Sequence, residues 1–177
     1  MRILGIDPGT ATLGYGLVEN GKMLDYGVIT TDKVNSEEDR LLSIFRGLEE
    51  IMHKYNPDEV AVEKLFFSKN IKTAITVSQA RGVSLLVAAK HGKKVFGYTP
   101  LQVKQGIASS GTATKKDVQF MVKMILGLDK IPKPDDAADA LAIAIVHCNY
   151  RSNNIALELW CSKGLAWHNW NISDTIQ

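Results

Sequence analysis

Apolar residues recur along this chain with two different periods, and the changes between them mark the elements. Ile3-Leu4-Gly5-Ile6, within residues 2–7, is a short apolar run that reads as a buried strand. Residues 14–19 and 23–31 read as two more strands, and Asn20-Gly21 between them is a strong hairpin signal. The period then lengthens. Leu41, Leu42, Phe45, Leu48, Ile51, Met52 and Tyr55 follow the 3.6-residue repeat of an amphipathic helix, with Ser36 placed to cap it and Asn56-Pro57-Asp58 to end it. Val60-Ala61-Val62-Glu63 is a fourth strand, residues 71–90 a helix apolar over much of its circumference, and residues 94–98 a fifth strand. Thr99-Pro100 opens a short helix, 106–114 reads as a Gly/Ser-bearing loop, and 115–126 and 136–150 read as the last helices.

This order predicts an α/β domain with a five-stranded mixed sheet flanked by helices. It spans residues 1–151. A tail of different character, 152–177, holds all three tryptophans and is expected to be poorly ordered apart from a short helix near 155–160.

Charge changes the picture. Residues 64–116 hold ten Lys/Arg and no Asp/Glu, which leaves eleven Lys/Arg against nineteen Asp/Glu elsewhere. Scattered lysines usually mark solvated helix faces, but a block without a single acid points to a polyanion-binding face. No apolar run is long enough to span a membrane. The opening residues lack the features of a signal peptide, and Cys148 and Cys161 form neither a metal spacing nor a disulfide framework. A reduced cytoplasmic protein is therefore expected.

The acids carry the candidate chemistry. Asp7 ends the first strand and Glu63 the fourth, where a carboxylate is costly to desolvate unless paired or bound to a cation. Asp136 and Asp139 are three residues apart on one helix, within ~60° of each other on one face. Singly, each is more often a cap or an ion-pair partner. Together, four acids on two strand ends and one helix start can converge at one sheet edge. Such hard oxygen donors suit Mg²⁺, with Mn²⁺ as substitute, and a pair of ions suits phosphodiester hydrolysis.

Gly5-Ile6-Asp7-Pro8-Gly9-Thr10, Val62-Glu63-Lys64-Leu65-Phe66, Gln79-Ala80-Arg81-Gly82 and Asp136-Ala137-Ala138-Asp139-Ala140-Leu141-Ala142 together resemble the RuvC family of bacterial Holliday-junction resolvases, over residues 1 to about 150. The resemblance implies a ribonuclease-H-like fold, a Mg²⁺-dependent homodimer with two ions per site, and paired symmetric nicks across a four-way DNA junction during recombination and repair. It implies the branch-migration proteins RuvA and RuvB as partners. By the same resemblance Asp7, Glu63, Asp136 and Asp139 are the catalytic metal ligands, Lys104 and Lys115 lie near the scissile phosphate, and Phe66 contacts the junction. The basic block adds Lys69, Lys72 and Lys116 as DNA contacts. The helix at 71–90, with Ala74, Ile75, Ser78, Gly82 and Leu85, is the expected dimer surface. Two other readings stay open at this point: a single-lobe phosphate-binding protein akin to sugar kinases and actin-like ATPases, and a non-catalytic nucleic-acid-binding module of the same fold.

Overall fold

The structure is a computed structural model that describes residues 1–64 and 71–162, with side chains for 1–64 and 74–152. Strands β1 (Arg2–Asp7), β2 (Thr12–Glu19) and β3 (Lys22–Thr30) form an antiparallel meander. The turn between β2 and β3 uses Asn20 and Gly21 at φ of 50° and 78°. Two consecutive positive φ values are what a tight hairpin turn needs, and this pair supplies them at low cost. Helix α1 (Glu37–Tyr55) follows, capped by the Ser36 hydroxyl, which accepts from the Asp39 N–H, and closed by left-handed Asn56. Strand β4 (Glu59–Glu63), helix α2 (Ile71–Lys90) and strand β5 (Lys94–Tyr98) add two strands parallel to β1. Helices α3 (Pro100–Ala108), α4 (Lys115–Leu126) and α5 (Asp135–Ser162) complete the chain, and the sheet order is β3-β2-β1-β4-β5.

Two helix ends differ from the sequence reading. Helix α3 runs through Gly106 to Ala108, so the expected loop starts at Ser109. A capping box at Thr99 and Gln102 holds its first turn, while Val103 and Ile107 bury its inner face and carry it past the glycine. Helix α5 does not stop at Tyr150 but continues unbroken to Ser162. No glycine or proline lies between 135 and 162, so nothing in the backbone stops it.

The sheet carries a core on each side, and strand alternation sorts residues between them. Leu4, Ile6, Val60 and Val62 face α1 and α2, packing with Ile44, Leu48 and Val87. Ile3 and Ala61 face α5, packing with Leu141, Ile143 and Ile145. Asp7 and Glu63 continue the second series, so period two alone assigns both acids to the α5 face.

Helix α5 lies unusually close to the sheet. A Cβ on Gly5 would fall 2.1 Å from the Ala140 carbonyl oxygen, and one on Gly14 would fall 2.0 Å from that of Asp136. Both obstacles are backbone atoms and cannot swing aside. The expected outcome of Gly14→Ala is therefore a loss of stability of about 1–3 kcal/mol, the usual cost of overpacking, read from chemical denaturation. Gly5→Ala should lose at least as much, because its Cβ would press on two backbone atoms of α5, the Ala140 oxygen and the Ala144 nitrogen, one turn apart.

Candidate active site

β1 and β4 run parallel with Ile6 beside Val62, so Asp7 and Glu63 are the next residues on adjacent strands. Adjacent strands lie about 4.8 Å apart, which sets the two carboxylates side by side. Gly14 pairs with Asp7 across β1–β2 and touches the Asp136 backbone. That contact brings the first turn of α5 over the end of β1. Asp139 lies one turn further on, lining a cleft of about 170 Å³ with Glu63, Lys104, Lys115 and the apolar Val103, Val118 and Ile143.

The electrostatics follow from this crowding. Burial, then the charges of Glu63, Asp139 and Asp136, raise the Asp7 carboxyl to about 8 despite Lys115. Burial and the Asp139 charge raise Glu63 to about 7, again opposed by Lys115. Burial also raises Asp139, with Lys115 pulling the other way. Lys115 Nζ lies 2.9 Å from Asp139 Oδ2 and 3.8 Å from Asp135 Oδ2. Burial would lower this lysine, but the Asp139 hydrogen bond and the charges of Asp139, Asp135 and Asp136 outweigh it and hold it above its ordinary value.

One lysine cannot neutralise such a cluster, and raised carboxyls are the signature of a site short of positive charge. The donor set is all carboxylate oxygen, the chemistry of a hard divalent cation. Asp7, Glu63, Asp136 and Asp139 thus fit the metal that their residue types and spacing imply.

Of the residues singled out from the sequence, the structure brings together the four acids, Lys104 and Lys115. Lys116 is exposed beside Lys115 in the first turn of α4, whose Thr114–Asp117 capping box fixes that turn. Phe66 and Lys69 lie outside the described residues, as does the side chain of Lys72.

Sequence reasoning missed two supports. Arg81 Nε donates to the Glu63 carbonyl at 3.2 Å and so ties α2 to the end of β4. On the same face, at the far end of β4, Glu59 accepts from fully buried His147 at 2.8 Å and pairs with Arg151 Nε at 3.2 Å. A carboxylate only accepts, so His147 donates from Nε2, and its Nδ1 accepts from the Tyr98 hydroxyl at 2.7 Å. His147 and Arg151 lie four residues apart on a helix, a spacing that could have flagged a shared partner but not which one.

A mixed sheet of this order, with carboxylates gathered at the end of its central strand and at the start of the last helix, defines a ribonuclease-H-like domain. The family model for the crossover junction endodeoxyribonuclease RuvC matches residues 3–147. The RuvC of Caldanaerobacter subterraneus subsp. tengcongensis is 55% identical over 159 residues, 88% of this chain and 95% of that protein. The RuvC of Halothermothrix orenii is 53% identical over 169 residues, covering 93% of this chain and all of that one. Among solved structures, Thermus thermophilus RuvC in complex with Holliday junction substrate superposes with a TM-score of 0.83 at 38% identity, over 87% of this chain and 96% of that one. The chain belongs to the RuvC family. The kinase-like and non-catalytic readings give way to an endonuclease. Among the described residues no helix is long and apolar enough to cross a membrane.

The raised carboxyls have a measurable consequence. Asp7 and Glu63 hold their protons more tightly folded than unfolded. The stability this gives is complete below their ordinary range and is lost as pH climbs through about 7 for Glu63 and about 8 for Asp7. In chelator, Asp7→Asn should therefore melt above the unaltered protein by a margin that grows from acid pH to about pH 8. Added Mg²⁺ should raise the melting point of the unaltered protein and not that of the variant. Thermal melts across this pH range check both points, and a margin that shrinks as pH rises would contradict the assignment.

Proposed function

We propose that this chain resolves four-way DNA junctions by paired, symmetric metal-dependent nicks in recombination and repair. The observation that carries this reading is the convergence of Asp7, Glu63 and the Asp136–Asp139 turn beside Lys104 and Lys115, on a scaffold 38% identical to one bound to a Holliday junction. The four acids would hold Mg²⁺, two ions per site, with Mn²⁺ able to substitute. A bound divalent cation supplies Lewis acidity at a phosphodiester and makes water a better nucleophile.

The chain's own groups do the rest. Asp139 keeps the Lys115 ammonium charged and directed into the cleft. Lys104 and Lys115 give a phosphate two cationic contacts at the point where charge develops, while Val103, Val118 and Ile143 keep the cleft wall dry. Lys116, and Lys69 and Lys72 of the basic block, extend the contact along the backbone. Phe66 stacks on an exposed junction base.

Two cuts related by a two-fold axis call for two sites with that symmetry, and a homodimer supplies them. Support comes from α2. Its inner face buries Ala80, Ser84, Val87 and Ala88 against the sheet. Its outer face presents Ile75, Ser78, Gly82 and Leu86 in one stripe, with Ile75 55% and Leu86 60% exposed. A Cβ on Gly82 would meet nothing within 4 Å, so the middle of the stripe is open to close approach by a second helix. The family resemblance extends the proposal to RuvA and RuvB as partners.

Incubation with a labelled synthetic four-way junction and Mg²⁺ tests the reading, and symmetric nicks are the expected product. Asp7→Asn, Glu63→Gln, Asp136→Asn and Asp139→Asn should each abolish cleavage and leave junction binding largely intact. Near-normal turnover in any two of them would refute the site. Lys115→Ala should cost more in rate than in binding, and binding should weaken steeply with salt as counterions are released. For assembly, Ile75→Glu should give a folded monomer that has lost paired cleavage. Light scattering showing the unaltered protein monomeric both alone and on the junction would sink the dimer.

A further inference from the structure

A second group of metal-ligating side chains lies at the other end of the molecule. Glu49 and His53 stand one turn apart on α1, and His91 directly follows the last residue of α2. These helices end where the parallel strands begin, whereas Asp7 and Glu63 stand where those strands finish.

His91 Nε2 is 2.7 Å from Glu49 Oε1, and His53 Nε2 is 3.9 Å from Glu49 Oε2. The two imidazoles meet edge to face with centroids 4.9 Å apart. One donor atom from each residue lies within 4.8 Å of the others. A tetrahedral ion with ligands at about 2.0–2.2 Å needs its donors about 3.5 Å apart, so a closure of roughly 1 Å suffices. His53 is 73% exposed and free to make that adjustment, while Glu49 and His91 are already held by packing.

The other charge at the site has somewhere to go. Lys90 Nζ binds Glu49 but also lies 5.2 Å from the centroid of the Phe45 ring. Leaving the carboxylate, it keeps a cation–π contact on an exposed stem.

We propose that Glu49, His53 and His91 form a transition-metal site of the zinc class, with two imidazole nitrogens, one carboxylate oxygen and a fourth position for solvent. Imidazole selects zinc-like ions over Mg²⁺, which the carboxylate cleft selects instead. The bound ion pins the end of α2 to α1 and so stiffens the helix whose outer stripe stays exposed. A simple ion-pair cluster predicts no such binding, and the claim stands whether or not the chain cuts junctions.

The test uses the full chain, free of any affinity tag, carrying Asp7→Asn and Asp139→Asn so that the carboxylate cleft is disabled. Equilibrium dialysis against Zn²⁺ in excess Mg²⁺ should leave one zinc per chain, and zinc should raise the melting temperature. His53→Ala, at an exposed position that does not threaten folding, and His91→Ala should each weaken zinc binding on the order of tenfold or more and remove the melting shift. Of the chain's two other histidines, His147 is fully buried and His168→Ala should bind zinc normally. Failure to retain zinc, or undiminished retention in the His53→Ala and His91→Ala variants, overturns the site.

Discussion

The approach of α5 to the sheet is the constraint on which this molecule depends. An ordinary helix-on-sheet packing leaves room for side chains between the two backbones. Here glycines at 5 and 14 remove that layer, and Ala137, Ala140 and Ala144 keep the facing side of α5 small. The helix sinks until its carbonyls meet the strand backbones. Without that approach Asp136 and Asp139 would stand a side-chain length further from Asp7, and the charges that raise its carboxyl would be weaker.

Strand β4 sets a satisfied acid beside one in excess charge. Glu59 and Glu63 occupy the two ends of β4 and share its α5 face. Glu59 is buried, hydrogen-bonded by His147 and ion-paired with Arg151. Among the described residues no side chain donates to the Glu63 carboxylate, and burial beside Asp139 leaves it raised instead. Among the described residues, folding supplies side-chain donors at one end of the strand and none at the other. A group of buried like charges destabilises the metal-free protein, and such a cost is tolerated where binding a cation can recover it.

Helix α2 connects the two ends of the molecule. Near its middle Arg81 reaches the Glu63 carbonyl, and at its end Lys90 and His91 converge on Glu49. One face is spent on the sheet and the other is open, with small residues between two large apolar ones. A helix fixed near its middle and at its C-terminal end, with an exposed stripe on its outer face, loses little conformational freedom on association.

Much of this architecture is legible in the amino-acid sequence. Apolar periodicity marks five strands, their order and the amphipathic helices, because burying one face leaves a period-two or period-3.6 trace. Asn20-Gly21 marks the hairpin because few residue pairs accept two positive φ values. Alternation puts Asp7 on the face of Ile3 and Glu63 on that of Ala61, since parity along a strand is a local property, while the register of β1 against β4 makes those faces one. The end of α3 is less legible, because burial can carry a helix past a glycine and only tertiary contacts say where burial stops. Tertiary structure alone decides that Asp136 stands over Gly14, that Lys115 pairs with Asp139, that His147 bridges Glu59 and Tyr98, and that Glu49 meets His91 across two helices. Those partners are distant in sequence or depend on sub-ångström approach, and neither period nor composition encodes how closely two backbones can meet.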